Sequence, residues 1–101
     1  MAKNQEFAEQ LGRAWALHRQ GQNDAAVKEY DALLQLSGDN MDALYGRGLA
    51  ERSSGQIEAA RASFEKCLGR VNVALETAPN EDRYQMLEKM ITQRLSELKA
   101  K

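Results

Sequence analysis

Apolar residues recur at helical spacing along most of this chain. Ala26, Tyr30, Leu33 and Leu34 stand at i, i+4, i+7 and i+8, and Ala60, Phe64, Cys67 and Leu68 repeat the arrangement further on. That period buries one stripe of a helix and leaves the rest to solvent. Helix formers dominate, β-branched residues are scarce and there is a single proline, so an all-α protein of about five helices is expected. Glycine and proline punctuate it. A first helix is predicted from about Gln5 to Gln20, ending at Gly21, and a second begins near Asp24 with Asn23 as its N-cap. Gly38, after Leu36-Ser37, has the place of a left-handed C′ residue, and Asn40 caps a third helix running to about Ser54. Gly55 breaks the chain again. The fourth helix starts near Ile57 and finds no clear stop before Thr77-Ala78-Pro79. A fifth, capped by Asn80 with Glu81 and Asp82 matching its positive end, runs to about Lys99.

The pattern also echoes itself. Shifted by 34 residues, Arg13 falls on Arg47, Ala16 on Ala50, Gly21 on Gly55 and Gln22 on Gln56. Ala25-Ala26 falls on Ala59-Ala60, Tyr30 on Phe64, and Leu34 on Leu68. The recurring residues are small, aromatic or turn-forming, the types that set how closely helices approach. Gly48 in mid-helix costs about 1 kcal/mol relative to alanine, so a packing reason for it is expected. A period in this range marks a repeat architecture, whose stability comes from stacking of neighbours and whose usual work is binding.

Composition narrows the partners. The chain has 101 residues, enough for one domain with a modest core. Its 14 basic and 15 acidic residues nearly cancel, and no third of the chain is strongly polarised. A nucleic-acid binder relying on phosphate neutralisation is therefore not expected. Nowhere do 18 apolar residues run together and no signal core follows the N-terminus, so the expectation is no membrane and a cytoplasmic location. Cys67 is the only cysteine and His18 the only histidine. On this reading they lie on different helices, the cysteine facing the core and the histidine in a groove or on the surface. No metal-ligand spacing and no glycine-rich phosphate loop occurs, so no catalytic residue, metal or cofactor is expected, and the chain reads as no enzyme.

On the residues Leu44, Gly48, Gly55, Ile57, Ala60, Phe64 and Leu68, the second copy resembles the tetratricopeptide repeat. The first copy resembles it through Ala14, Leu17, Gly21, Ala26, Tyr30, Leu33 and Leu34. It departs at its start, where Gln10 and Arg13 stand at usually apolar positions, and at its end, where Gly38 replaces the closing proline. The resemblance covers roughly residues 7–74. It implies a single domain over 1–101: repeat one at 7–40, repeat two at 41–74 and a capping helix at 80–99. Each repeat would be a helix-turn-helix hairpin, the hairpins stacking in a right-handed superhelix closed by the C-terminal solvating helix. Tyr84, Met86, Leu87, Met90, Ile91, Leu95 and Leu98 cover about half of that last helix. They serve packing against the second repeat, or packing and contact with a second molecule together; Arg94 within the apolar sector favours the latter.

In the family, peptides lie along a concave groove formed by the first helix of each hairpin. The implied groove positions are Ala8, Leu11, Trp15, His18 and Arg19 from the first repeat, and Asp42, Tyr45, Leu49, Arg52 and Ser53 from the second. Trp15 and Tyr45 are residue types that dominate interface energetics. The competing reading packs Leu11 and Trp15 internally. The chaperone-tail clamp found in some members needs Lys and Asn where this chain has Leu11, Trp15 and Gly46, so that function is not expected. The function implied is protein–protein interaction, an adaptor receiving an apolar peptide or amphipathic helix. The alternatives are a homodimer or larger self-assembly through the groove or last helix, and a secretion-type chaperone.

Overall fold

The computed structural model describes residues 2–99. Five helices follow one another: α1 Ala2–Arg19, α2 Asn23–Leu36, α3 Met41–Ser53, α4 Ile57–Thr77 and α5 Asp82–Lys99. They form two antiparallel hairpins, α1/α2 and α3/α4, stacked through α2 and α3, with α5 packed chiefly on α4. The fold is thus the all-α helical repeat stack expected from the sequence, and α4 with 21 residues outruns the 14 of α2, also as expected.

The two turns within hairpins are built alike. Gly21 and Gly55 both take φ of +84°, the left-handed region that a Cβ disfavours. At the first, Gly21 N–H donates to His18 O and Gln22 N–H to Leu17 O; at the second, Gly55 donates to Arg52 O and Gln56 to Glu51 O. This crossed pair of bonds satisfies carbonyls that the helix end would otherwise leave open. The sequence echo is therefore a geometric one.

Three details at helix ends differ from expectation. Gly38 is not left-handed: among the described residues only Gly21 and Gly55 have positive φ. α2 ends on an ordinary bond from Ser37 N–H to Leu33 O, and a turn closed by Asn40 N–H to Ser37 O carries the chain onward, so no left-handed residue is needed. Asn23 is the first residue of α2 rather than its cap. The tight turn leaves only Gln22 before the helix, and its carbonyl takes the Ala26 N–H. At α5, Pro79 and Asn80 form a turn closed by Glu81 N–H to Ala78 O, and the Glu81 carbonyl, not Asn80, starts the helix by accepting from Tyr84 and Gln85. Asn40 does cap α3, its Oδ1 accepting from Ala43 N–H at 2.8 Å.

The core forms two adjoining clusters. One joins Ala14, Ala26, Tyr30, Leu33, Ala43 and Ala50 across α1, α2 and α3. The other gathers Leu44, Leu49, Ala60, Phe64, Cys67 and Val71 with Leu87, Ile91 and Leu98 of α5. The Tyr30 and Phe64 rings that the echo pairs are both fully buried. Each needs a glycine on α3. A Cβ at Gly46 would lie 2.4 Å from Tyr30 Cζ, and one at Gly48 would lie 2.6 Å from a ring carbon of Phe64. The packing reason expected for Gly48 is this ring, and Gly46 is its counterpart facing α2.

A polar chain crosses the same junction. Arg47 donates to Asp31 of α2 at 2.7 Å and to Ser63 of α4 at 3.1 Å, and the Ser63 hydroxyl donates to the buried Glu51 carboxylate at 2.6 Å. The buried carboxylate is thereby hydrogen-bonded, which its burial requires.

The glycines of the helices should separate by sign. Gly46→Ala and Gly48→Ala gain about 1 kcal/mol of helix propensity but overpack the rings at about 1–3 kcal/mol. A net loss of up to about 2 kcal/mol is expected for each in urea unfolding. Gly69, exposed within α4, would place a Cβ in open space, and Gly69→Ala should gain up to about 1 kcal/mol.

Candidate protein-binding groove

α1 and α3 run parallel, each as the first member of its hairpin, and a pocket opens between them. Its volume is about 420 Å³. Ala8, Leu11, Gly12 and Trp15 of α1 form one wall, Asp42, Tyr45 and Gly46 of α3 the other, and Tyr30 of α2 the floor. The lining is almost wholly apolar because the helices approach through small residues. Gly12 and Gly46 leave backbone where side chains would stand, and the hydroxyl end of Tyr30 lies against Gly46.

The structure brings five of the ten expected groove residues together here: Ala8, Leu11, Trp15, Asp42 and Tyr45. Trp15 is 44% exposed, while Leu11 is half-buried against the first core cluster. The two readings of that helix face thus divide between the residues, with Leu11 leaning inward and Trp15 open. The Tyr45 ring packs at 5.7 Å on Phe64, which fixes its orientation toward the pocket. Trp15 also borders a second cleft of about 380 Å³ with Ala16, Arg19 and Gln20. His18 lies beside it, its ring 5.5 Å from the indole, and its Nδ1 stands 2.9 Å from Asn23 Oδ1.

The remaining residues fall elsewhere. Leu49 is only 8% exposed and belongs to the core cluster that holds Leu87 and Ile91, so it stabilises the stack instead of lining the groove. That cluster is shared with α5, the closing helix expected to pack on the second repeat. Arg52 reaches α5 and pairs with Glu97 at 3.0 Å, and Asp42 pairs with Arg83 at 3.0 Å. Ser53, the last residue of α3, is exposed. Gly12 and Tyr30 line the pocket without having been expected there, and Gly46, noted only as standing at a clamp position of the family, lines it too. Gly46 stands four residues after Asp42, so the helical period could have placed it; Tyr30 was assigned wholly to the core.

A family model for the tetratricopeptide repeat matches residues 11–76. The chain belongs to the tetratricopeptide repeat family. No curated protein and no solved structure matches it significantly. Members of this family generally serve as protein–protein interaction modules, and α5 is a further helix after the two tetratricopeptide hairpins.

Two weakly acidic groups lie in the core, Tyr30 at the floor of the pocket and Cys67 in the cluster shared by α3, α4 and α5. Burial first, and the Asp42 charge second, push the Cys67 thiol up to about 12 and the Tyr30 hydroxyl likewise to about 12. Cys67 Sγ lies 3.4 Å from the Met41 carbonyl oxygen and is held as a thiol at neutral pH, unsuited to nucleophilic work. Among the described residues no group of three or more His, Cys, Asp or Glu is arranged to hold a metal ion, and no helix is long and apolar enough to cross a membrane.

These shifts set a pH dependence. Both groups ionise in the unfolded chain at lower pH than in the native one, so above about pH 9 the unfolded state binds fewer protons and stability falls. The midpoint of thermal unfolding is expected to be flat from pH 7 to 8.5 and to drop as pH rises through 9 to 11. Cys67→Ala should make that drop shallower. A thiol reagent should modify native Cys67 only as fast as the protein opens.

Proposed function

We propose that this tetratricopeptide protein is a non-catalytic interaction module that receives an apolar peptide or amphipathic helix on the face formed by α1 and α3. The observation that carries this reading is the apolar pocket of about 420 Å³ with a half-exposed tryptophan on its rim. A tryptophan left open on a rigid apolar wall costs solubility without adding stability. It is the residue type that most often anchors a partner in a desolvated centre. The surrounding helices are held from behind by Tyr30 and Phe64, so the pocket is preformed and binding need not order it.

Self-association is the second reading, favoured by Leu36 and Val73. They are 77% and 54% exposed and lie outside the groove lining. Sedimentation equilibrium between about 1 and 100 μM separates the two. The groove reading predicts the monomer mass of 11.3 kDa throughout. A dimer that dissociates on dilution would favour self-contact.

The groove reading is tested by substitution. Partners captured on the immobilised protein are identified by mass spectrometry, and the affinity of the strongest is measured against variants. Trp15→Ala should weaken it roughly 30-fold or more, as loss of an interface anchor does, while the thermal midpoint barely moves. Combination with Tyr45→Ala should remove capture. Unchanged capture by the double variant, with the fold intact by circular dichroism, rules the groove out.

A further inference from the structure

α5 carries more apolar surface than its packing uses. Leu87, Ile91 and Leu98 are buried against α4 and α3, yet Met86 is 63% and Met90 40% exposed. Their direction follows from the ion pairs on either side of them. Arg83 reaches Asp42 at the start of α3, and Glu97 reaches Arg52 at its end. At about 100° per residue, Arg83, Met86, Met90 and Glu97 fall within a stripe of about 60°. The two methionines therefore lie along the α3-facing flank of α5, between the ion pairs. Register agrees. α3 begins at Met41 and α5 at Asp82, which sets Arg83 at the place of Asp42 and Met86 at that of Tyr45. α5 packs mainly on α4, as α3 packs on α2. It thus stands as a third row of the surface that α1 and α3 begin, with methionines where adaptable contact is wanted.

One edge of this three-row surface is basic. Arg52 and Arg94 share the single carboxylate of Glu97, at 3.0 and 2.9 Å. Arg19, at the same end of the parallel α1, makes no ion pair among the described residues and fronts its own cleft. A further cleft of about 390 Å³ is lined by Arg52, Ile57, Glu97 and Leu98. Two of these three guanidinium groups thus share one carboxylate, and an exposed pair such as Arg52–Glu97 is cheaply exchanged for another. The opposite edge is balanced by Asp42 and Arg83.

We propose that the binding surface extends across α5, and that its occupant is an amphipathic helix with an aliphatic face on Tyr45, Met86 and Met90 and acidic side chains at the end beside Arg19 and Arg52. This rests on the groove reading above and names the partner's chemistry. The probes are labelled 18-residue Leu/Ala/Gln amphipathic peptides bearing three glutamates at the N-terminus, three at the C-terminus, or three lysines at either. Binding is followed by fluorescence anisotropy at low and high salt.

One of the acidic peptides is expected to bind about fivefold tighter than its lysine counterpart, with the difference shrinking in high salt. Met86→Glu with Met90→Glu should weaken every peptide about tenfold or more, and Arg19→Ala with Arg52→Ala should remove only the acidic preference. Equal affinity for acidic and basic peptides, or no effect of the methionine pair, overturns the inference. If Trp15→Ala still abolishes binding in that case, the groove reading survives alone. If Trp15→Ala changes nothing, or no peptide binds, both fall. A dimer broken by the methionine substitutions would make this surface a self-contact and also overturn the proposal.

Discussion

Everything in this fold turns on how closely two aromatic rings approach the backbone of α3. Tyr30 comes from the hairpin before it and Phe64 from its own hairpin, and each occupies space that a Cβ at Gly46 or Gly48 would fill. Two glycines in one 13-residue helix weaken its intrinsic preference for helix. The helix persists because both sides of it are packed. In a repeat stack each element is stabilised by its neighbours, and α3 packs against α1, α2 and α4. The polar chain from Asp31 through Arg47 and Ser63 to Glu51 crosses the same junction and gives it a defined register.

The pocket between α1 and α3 is a by-product of that constraint. Drawing Tyr30 against Gly46 leaves a gap between α1 and α3, because no side chain on α3 rises to fill it at that turn. The ring that stabilises the stack from below is the floor of the pocket above. Scaffold and site are therefore not separable sets of residues here. The same side chain contributes its ring to the core and its hydroxyl end to the groove, and burial raises the pKa of that hydroxyl to about 12.

Much of this was legible in the sequence because the information is periodic. The 34-residue echo placed Gly21 and Gly55 in the same turn, and both take the same backbone angle and the same crossed hydrogen bonds. The apolar spacing placed Tyr30, Leu33, Phe64 and Cys67 in the core. What was not legible is non-local. Leu49 has the spacing of a groove residue and is buried in the cluster that α5 also joins. Met86 and Met90 belong to a stripe that reads as packing alone or as packing with contact to a second molecule, and only the ion pairs of Arg83 and Glu97 show which part of it turns toward α3. The helix ends failed for a different reason. Asn23 and Asn80 have good capping chemistry, but the turns before them decide which carbonyl starts the helix.

The central claim is that partners bind on the face made by the first helix of each hairpin. Amide chemical-shift mapping tests it most directly, using ¹⁵N-labelled protein titrated with an amphipathic helical peptide. Shifts concentrated on Leu11–Arg19 and on Asp42–Gly46, with the Trp15 indole signal among the largest, are what this account predicts. Shifts concentrated instead around Leu36 and Val73, leaving the Trp15 indole unmoved, would contradict it.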